Sequence, residues 1–153
     1  MVLAIGKTEY VLGEMPVVGY GVSFLFEELV AAIKENVYDV LFDTEGVSNI
    51  VDIIDTTSDT GFSNDRLIAV LTTYNEEIED WRVGEALSEV YLSENKGGFF
   101  PWPNRRDIKK FGSSLAGADL VGFHCKVDSC CFLFGETKTS QDSNYPPSPM
   151  YGD

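Results

Sequence analysis

Residues 118–138 read ADLVGFHCKVDSCCFLFGETK, in which two apolar segments flank a short polar connection. The β-branched and aromatic content of these segments predicts β-strands at 118–124 and 130–137. The connection at 126–129 is short and polar, as in an antiparallel hairpin. We therefore expect the two strands to pair directly with each other.

Each of these strands carries charge in an otherwise apolar run. Asp119 lies near the start of the first, and Glu136 and Lys138 lie at the end of the second. Because side chains alternate across a strand, Glu136 and Lys138 should share one face while Thr137 points to the other. Antiparallel pairing should also bring Asp119 and Glu136 to the same end of the hairpin. A buried strand rarely carries an acid and a base unless they pair or bind something.

Upstream of the hairpin, hydrophobic periodicity predicts further helices and strands. Residues 2–20 should form a short strand, a turn and more extended chain. The other predicted elements are helices at 22–36, 44–55 and 74–92, strands at 37–42 and 67–71, loops at 56–64 and 95–103, and a helical turn at 108–112. This order is typical of a mixed α/β domain.

The helix predicted at 74–92 has the strongest signals. Thr73 and Glu76 form a T-x-x-E capping box, and acidic residues in the first turn suit the helix dipole. Its apolar stripe consists of Val83, Leu87 and Val90. Gly84 in its interior costs about 1 kcal/mol relative to alanine, which indicates close packing at this position.

At 153 residues the chain is expected to form one domain. It divides into an α/β portion at 1–72, the helix and strand hairpin at 73–138, and an irregular, proline-rich tail at 139–153. No apolar run approaches the ~20 residues that span a bilayer, and the N-terminus lacks the pattern of a secretory signal. Three cysteines, two of them adjacent, do not suggest a disulfide framework. These features predict a cytoplasmic protein that does not enter a membrane.

The charge balance limits the choice of partners. Eleven basic and 25 acidic residues give a net charge of −14, and such a field repels nucleic acid. The basic residues are unevenly spread, because four of them fall within six positions: Arg105, Arg106, Lys109 and Lys110. This basic cluster is either a nucleic-acid contact or an ordinary solvated helix face. A bound cation would also invert the local sign at an acidic site.

A strand with Asp119, then Glu136-x-Lys138 on the next strand, after a helix with glutamates, resembles the PD-(D/E)XK nuclease superfamily. The resemblance runs from about Thr73 to Lys138, under half of the chain. It implies an α/β (α+β) fold with a mixed sheet flanked by helices, the restriction-endonuclease-like core. It also implies a metal-dependent nuclease that hydrolyses phosphodiester bonds, with DNA as the favoured substrate.

The resemblance assigns a role to each matching residue. Asp119 and Glu136 would be ligands of Mg²⁺ or Mn²⁺, and Lys138 would position and deprotonate the attacking water. Glu85 best matches an additional catalytic, metal-binding glutamate, with Glu89 as the alternative. Magnesium takes oxygen ligands and acidifies a bound water, which explains the carboxylates. Desolvation can lower the pKa of a lysine in such a site toward neutrality.

The segment GETKTSQDSNYPPSPMYG at 135–152, with the GADLVGF strand, most resembles the DUF1837-type nuclease subunit of the Hachiman antiphage defence system. That subunit is longer and works with a helicase-like partner. The resemblance implies antiviral defence, with DNA and a helicase-like protein as partners. A helix and a strand usually follow the (D/E)XK strand, whereas fifteen residues follow Lys138 here. Either the chain is a fragment, or upstream elements or a partner complete the core.

Two further groups of side chains have competing interpretations. Four soft metal ligands fall within eight residues, namely His124, Cys125, Cys130 and Cys131. Their spacing matches no zinc pattern, so small buried residues are the favoured interpretation. Phe99, Phe100 and Trp102 lie in a loop with glycine and proline, where they could stack on bases. Packing of these aromatic side chains onto the core is favoured.

A different class of function stays open. Glu136 and Lys138 could form a surface pair at a strand end, with Asp119 simply starting a strand. The protein would then be a non-catalytic acidic interaction module that binds a basic protein partner. The relative placement of Glu85 and these three residues bears on the choice.

Overall fold

A computed structural model of the chain describes residues 4–12, 17–57, 78–101 and 117–143. These residues form helices and two antiparallel sheets, so the α+β class is confirmed. Several predictions fall outside the described residues: the strand at 67–71, the capping box of Thr73 and Glu76, Trp102, the basic cluster, the turn at 108–112 and the tail beyond residue 143. None of the described helices is long and apolar enough to cross a membrane.

The described chain begins with a hairpin of β1 (Ala4–Leu12) and β2 (Val17–Phe24). The strands are antiparallel, and Leu12 pairs with Val17 next to the connection. β2 runs through Phe24, so the helix predicted from residue 22 begins later, at Phe26. The β2 sequence, VVGYGVSF, is rich in β-branched and aromatic residues, which favour a strand over a helix at residues 22–24.

A helical stretch follows in three parts, α1 (Phe26–Ala32), a π-helical segment (Ile33–Val37) and α2 (Tyr38–Phe42). The strand predicted at 37–42 is therefore wrong. Val37 is buried, and Val40 and Leu41 pack against the same core. These three residues are spaced i, i+3 and i+4, so they lie on one face of a helix. In an apolar run this short, the same residues also fit the alternation of a strand.

Asp43 ends α2 in a left-handed conformation, with φ 42° and ψ 47°. Aspartate tolerates this region better than most residues. Its N–H donates to the Asp39 carbonyl at 2.8 Å, and its own carbonyl accepts from Val47 N–H at 2.8 Å. The chain thus turns directly into α3 (Thr44–Thr57), which confirms the helix predicted at 44–55.

The long helix α4 spans Asp80–Lys96, so it begins and ends later than predicted. Glu79 is its N-cap and makes no side-chain capping bond. Gly97 ends the helix at φ 67°, a conformation that glycine adopts without strain. The predicted loop at 95–103 accordingly starts later, and Gly98–Phe99 forms the short strand β3.

The core lies between α4 and the helical stretch from Phe26 to Phe42. Its buried members are Ala32, Val37, Ala86 and Val90. Val83 and Leu87 pack against them, which confirms the predicted stripe of α4. Small side chains at positions 32 and 86 allow the helices to approach closely.

The second sheet has the order β3-β4-β5, with β4 at Leu120–Lys126 and β5 at Ser129–Gly135. The predicted hairpin is confirmed, because β4 and β5 are antiparallel and Lys126 pairs with Ser129 across the turn at 127–128. β4 begins just after Asp119, and β5 ends just before Glu136. The charged residues therefore flank the strands.

The two faces of this sheet differ in burial. Leu120 and Gly122 are buried on the face where Gly98 approaches Leu92 of α4. The other face, here called the aromatic face, carries Phe99, Phe123, Phe132 and Phe134. Phe132 and Phe134 are 64% and 67% exposed. One face of the apolar β5 sequence is therefore open to solvent.

Candidate functional site

Asp119, Glu136 and Lys138 come together at the open end of the β4–β5 hairpin. The register pairs Leu120 with Gly135, so Asp119 and Glu136 extend from the last pair of the ladder. This confirms that the acids of the two strands lie at the same end. The antiparallel register thus brings together residues that are 17 positions apart in sequence.

The carboxylate of Asp119 is tied to the chain between the other two residues. Its Oδ2 accepts a hydrogen bond from the backbone N–H of Thr137 at 2.6 Å. Asp119 is half-buried, and a charged acceptor makes this a strong bond. It fixes the chain just beyond β5, where the strand ladder has ended, and so fixes where Glu136 and Lys138 emerge.

Glu136 and Lys138 form an ion pair, with Nζ donating to Oε1 at 2.6 Å. The expectation that both side chains share one side is confirmed. The pair is open to solvent, with 57% of Glu136 and 59% of Lys138 exposed. An exposed pair adds only about 0–1 kcal/mol of stability, so this arrangement is not needed to hold the fold.

The charge of Lys138 differs from the expectation. The hydrogen bond to Glu136 raises the pKa of the ammonium group, and the negative charges of Glu136 and Asp119 raise it further. The predicted lowering toward neutrality requires desolvation, which an exposed side chain lacks. Lys138 is therefore a fixed positive charge near neutral pH, and the role of proton acceptor from water does not suit it.

Glu85 is not brought into the same group. It is half-buried in α4. Across the described ranges, no three His, Cys, Asp or Glu side chains are grouped so that they could hold a metal ion. The metal-ligand roles of Asp119, Glu136 and Glu85 stay predictions, and any shared site at the hairpin end starts from two carboxylates.

Those two carboxylates suit magnesium in chemical type. Mg²⁺ prefers oxygen ligands and is commonly bound by one or two carboxylates, with water and substrate phosphate completing its shell. The Asp119 and Glu136 bonds described above each use one carboxylate oxygen. The second oxygen of each group is a chemically suitable ligand.

Among the described residues, Glu89, the alternative to Glu85, is the one carboxyl group whose pKa is clearly shifted. Burial raises its pKa from 4.5 to about 7, and the negative charge of Asp43 adds to the effect. Sequence reasoning overlooked this environment. The available signal was its position in the helix. Glu89 lies three positions after Ala86 and directly before Val90, and both of these residues belong to the core, so Glu89 lies beside the buried face.

The cysteines differ from the prediction in two ways. Cys125 and Cys130 form a disulfide across the hairpin, and Cys131 is an exposed free thiol. All three are exposed, whereas small buried side chains were expected. A two-residue turn at 127–128 makes 125 and 130 direct cross-strand partners, and this register was the available signal.

The two described aromatic residues of the predicted loop, Phe99 and Phe100, differ in burial. Phe99 is 59% exposed on the aromatic face, so core packing is wrong for this side chain. Phe100 is half-buried and lies against Gly122, so core packing is correct there. A Cβ added at Gly122 would approach the Phe99 carbonyl to 2.5 Å, which explains the glycine.

Comparison with known proteins gives no relative: no protein-family model, no curated protein and no solved structure matches the chain. The chain is an α+β domain with an acidic and a basic side chain paired at the end of a strand hairpin.

Proposed function

We propose that the protein is a metal-dependent nuclease domain that hydrolyses phosphodiester bonds, with DNA as its substrate. The observation that carries the proposal is the convergence of Asp119 with Glu136 and Lys138 at one end of the β4–β5 hairpin, held by the Asp119–Thr137 bond. The resemblance of these residues to the PD-(D/E)XK pattern supports the same function and a restriction-endonuclease-like core.

In this mechanism Asp119 and Glu136 would be the carboxylate ligands that hold Mg²⁺ or Mn²⁺. The bound ion would stabilise phosphate charge and acidify a water molecule. Lys138, kept protonated by its acidic neighbours, orients the phosphate and offsets the negative charge that builds up during cleavage. Substrate entry requires the Glu136–Lys138 pair to open, which costs little because the pair is exposed.

A protein with a net charge of −14 repels the DNA backbone, so binding of DNA requires a contribution from another molecule. We propose that a helicase-like partner presents the strand to this domain in an antiphage defence complex, as the resemblance implies. The exposed hairpin end is compatible with delivery of a strand by such a partner. Activity of the isolated chain should then be weak and should increase with the partner.

The test measures cleavage of single- and double-stranded DNA with Mg²⁺, Mn²⁺ or EDTA. We expect Glu136→Ala and Lys138→Ala to slow cleavage by at least about 100-fold, the usual effect of losing a catalytic group. Lys126→Ala is the matched control, because Lys126 is an exposed lysine at the opposite end of the same hairpin. Wild-type rates in both site variants would refute the nuclease.

A second candidate is the non-catalytic acidic module that binds a basic protein. The aromatic face favours it: the Phe123 and Phe132 rings lie 4.9 Å apart, and Phe132 and Phe134 lie 5.9 Å apart. Exposed aromatic side chains of this kind mark interaction surfaces. A net charge of −14 favours a basic occupant and opposes a second copy of the chain.

This candidate is tested with a synthetic peptide of alternating leucine and arginine, using glutamate in place of arginine as the control peptide. We expect Phe132→Ser with Phe134→Ser to weaken binding at least about tenfold without any dependence on Mg²⁺. Val127→Ser is the control, since Val127 is fully exposed at the turn. Equal binding of the arginine peptide by the wild-type chain and the double phenylalanine variant would contradict a basic partner. Self-association of the wild-type chain that the double variant loses would contradict it too.

A further inference from the structure

A cleft of about 580 Å³ lies beside the candidate site, between the start of α4 and the residues that follow Lys138. Its walls consist of Ile78, Glu79, Asp80, Trp81, Thr139, Ser140 and Gln141. Thr139 is the residue directly after Lys138, so one wall of the cleft continues the segment that carries the Glu136–Lys138 pair. We call it the Trp81 cleft.

Two contacts attach the wall formed by residues 139–141 to α4, and a third lies within that wall. Thr139 packs on the α4 backbone at Gly84, where an added Cβ would overlap Thr139 Oγ1. The Gln141 amide Nε2 donates to Asp80 Oδ2 at 3.1 Å. The backbone N–H of Asp142 donates to Ser140 Oγ at 3.0 Å. The segment after Lys138 is thus attached to the first turns of α4, and the cleft is formed before any ligand arrives.

The lining has the chemistry of a base-binding site. Trp81 is half-buried and supplies an indole ring, and stacking of a base on an aromatic ring contributes binding energy for any base. The described lining includes two carboxylates and no basic side chain, which disfavours a phosphate inside the cleft. A volume of about 580 Å³ is within the usual range of small-molecule sites. A flat, uncharged heterocycle is therefore the fitting occupant.

Hydrogen bonding narrows the choice of base. Gln141 uses one of its two amide N–H groups on Asp80, so the Gln141 carbonyl oxygen and the second Asp80 oxygen supply two acceptors to the cleft, beside one remaining amide donor. Adenine, cytosine and guanine have exocyclic amino groups that donate to such acceptors. Thymine and uracil offer only one ring N–H, and the carbonyl groups on both sides of it are repelled by the Asp80 carboxylate.

We propose that the Trp81 cleft binds one nucleobase of the substrate next to Lys138 and prefers bases with an exocyclic amino group. The inference rests on the proposed nuclease function, because it makes the cleft a subsite for the nucleotide that flanks the scissile phosphate. The base stacks on Trp81, Asp80 and Gln141 read its amino group, and the attached phosphate lies toward the Lys138 ammonium. Cleavage would then favour positions next to A, C or G.

The experiment titrates the chain with dAMP, dCMP, dGMP and dTMP in EDTA and follows tryptophan fluorescence in a Trp102→Phe background, where Trp81 is the reporter. We expect the three amino-bearing nucleotides to bind at least about fivefold more tightly than dTMP. Gln141→Met should reduce this preference toward unity. Lys138→Ala should weaken binding of dAMP and leave deoxyadenosine unaffected.

Trp81→Leu is followed by ligand-observed NMR, since it lacks the fluorophore, and should weaken all four nucleotides about tenfold. Tyr38→Leu is the control, because Tyr38 is an exposed aromatic residue outside the cleft. No saturable binding, equal binding of dTMP that Gln141→Met leaves unchanged, or full competition by inorganic phosphate would each overturn the cleft assignment. Nucleotide binding without cleavage activity would refute the proposed nuclease function alone. Cleavage without nucleotide binding would refute the proposed nucleobase site alone.

Discussion

Asp119, the residue before β4, holds the backbone N–H of Thr137, the residue between Glu136 and Lys138, at 2.6 Å. The Asp119 carboxylate therefore makes a structural hydrogen bond and also has a proposed role as a metal ligand. Substitution by asparagine separates these two roles, because the amide side chain retains an acceptor oxygen but carries no negative charge.

We expect Asp119→Ala to lower the free energy of unfolding by about 1–2 kcal/mol, because the Thr137 N–H loses its acceptor. Asp119→Asn should lower it by less than about 1 kcal/mol, and both variants should lose DNA cleavage. Urea denaturation and cleavage assays measure the two effects. Asp128→Asn in the exposed hairpin turn is the control. Cleavage retained by Asp119→Asn would contradict the proposed metal-ligand role.

The sequence was sufficient for the hairpin, because apolar strands and a short polar connection define both the elements and their pairing. It was insufficient for Val37–Phe42, where a short apolar run suits a strand or a helix and packing on α4 decides in favour of the helix. The exposure of Phe132 and Phe134 could not be read from β5 either. Burial of a strand depends on what covers it, and the strand's own residues do not specify that.

Gly84 and Thr139 should be energetically coupled. Glycine to alanine in a helix normally adds about 1 kcal/mol of stability, but here the new Cβ would overlap Thr139 Oγ1. We expect Gly84→Ala alone to lower the free energy of unfolding by about 1–2 kcal/mol. Thr139→Ala removes the overlapping oxygen and should recover most of that loss, giving a positive coupling in a double-mutant cycle. Additive effects would show that the contact is absent in solution.

The thiol chemistry should reflect one exposed disulfide and one exposed free cysteine. Under non-reducing conditions, a thiol reagent added to the native chain should label Cys131 alone. After reduction all three cysteines should react. Peptide mass mapping identifies the linked pair, and Cys131→Ser should abolish labelling of the unreduced protein. Labelling at Cys125 or Cys130 before reduction would contradict the disulfide.

Glu89 should make stability depend on pH in the direction opposite to an ordinary surface acid. Its pKa rises from 4.5 to about 7 on folding, so between these values the folded state binds more protons than the unfolded state. Stability should therefore fall as pH rises through this window. Each unit corresponds to 1.36 kcal/mol, which gives an upper limit of about 3 kcal/mol and an expected effect of about 1–2 kcal/mol for a partly buried group.

Glu89→Gln removes the titrating group and keeps its shape. We expect this variant to be more stable than the wild-type chain at pH 8 and nearly equal to it at pH 4.5, measured by urea denaturation across the range. Glu45 is an exposed glutamate in α3, so Glu45→Gln is the control with the same charge change and should not gain stability at pH 8 in this way. Asp43→Asn removes the second cause of the shift and tolerates the left-handed backbone, so it should move the window to lower pH. Because burial is the larger cause, the window should narrow in this variant and not vanish.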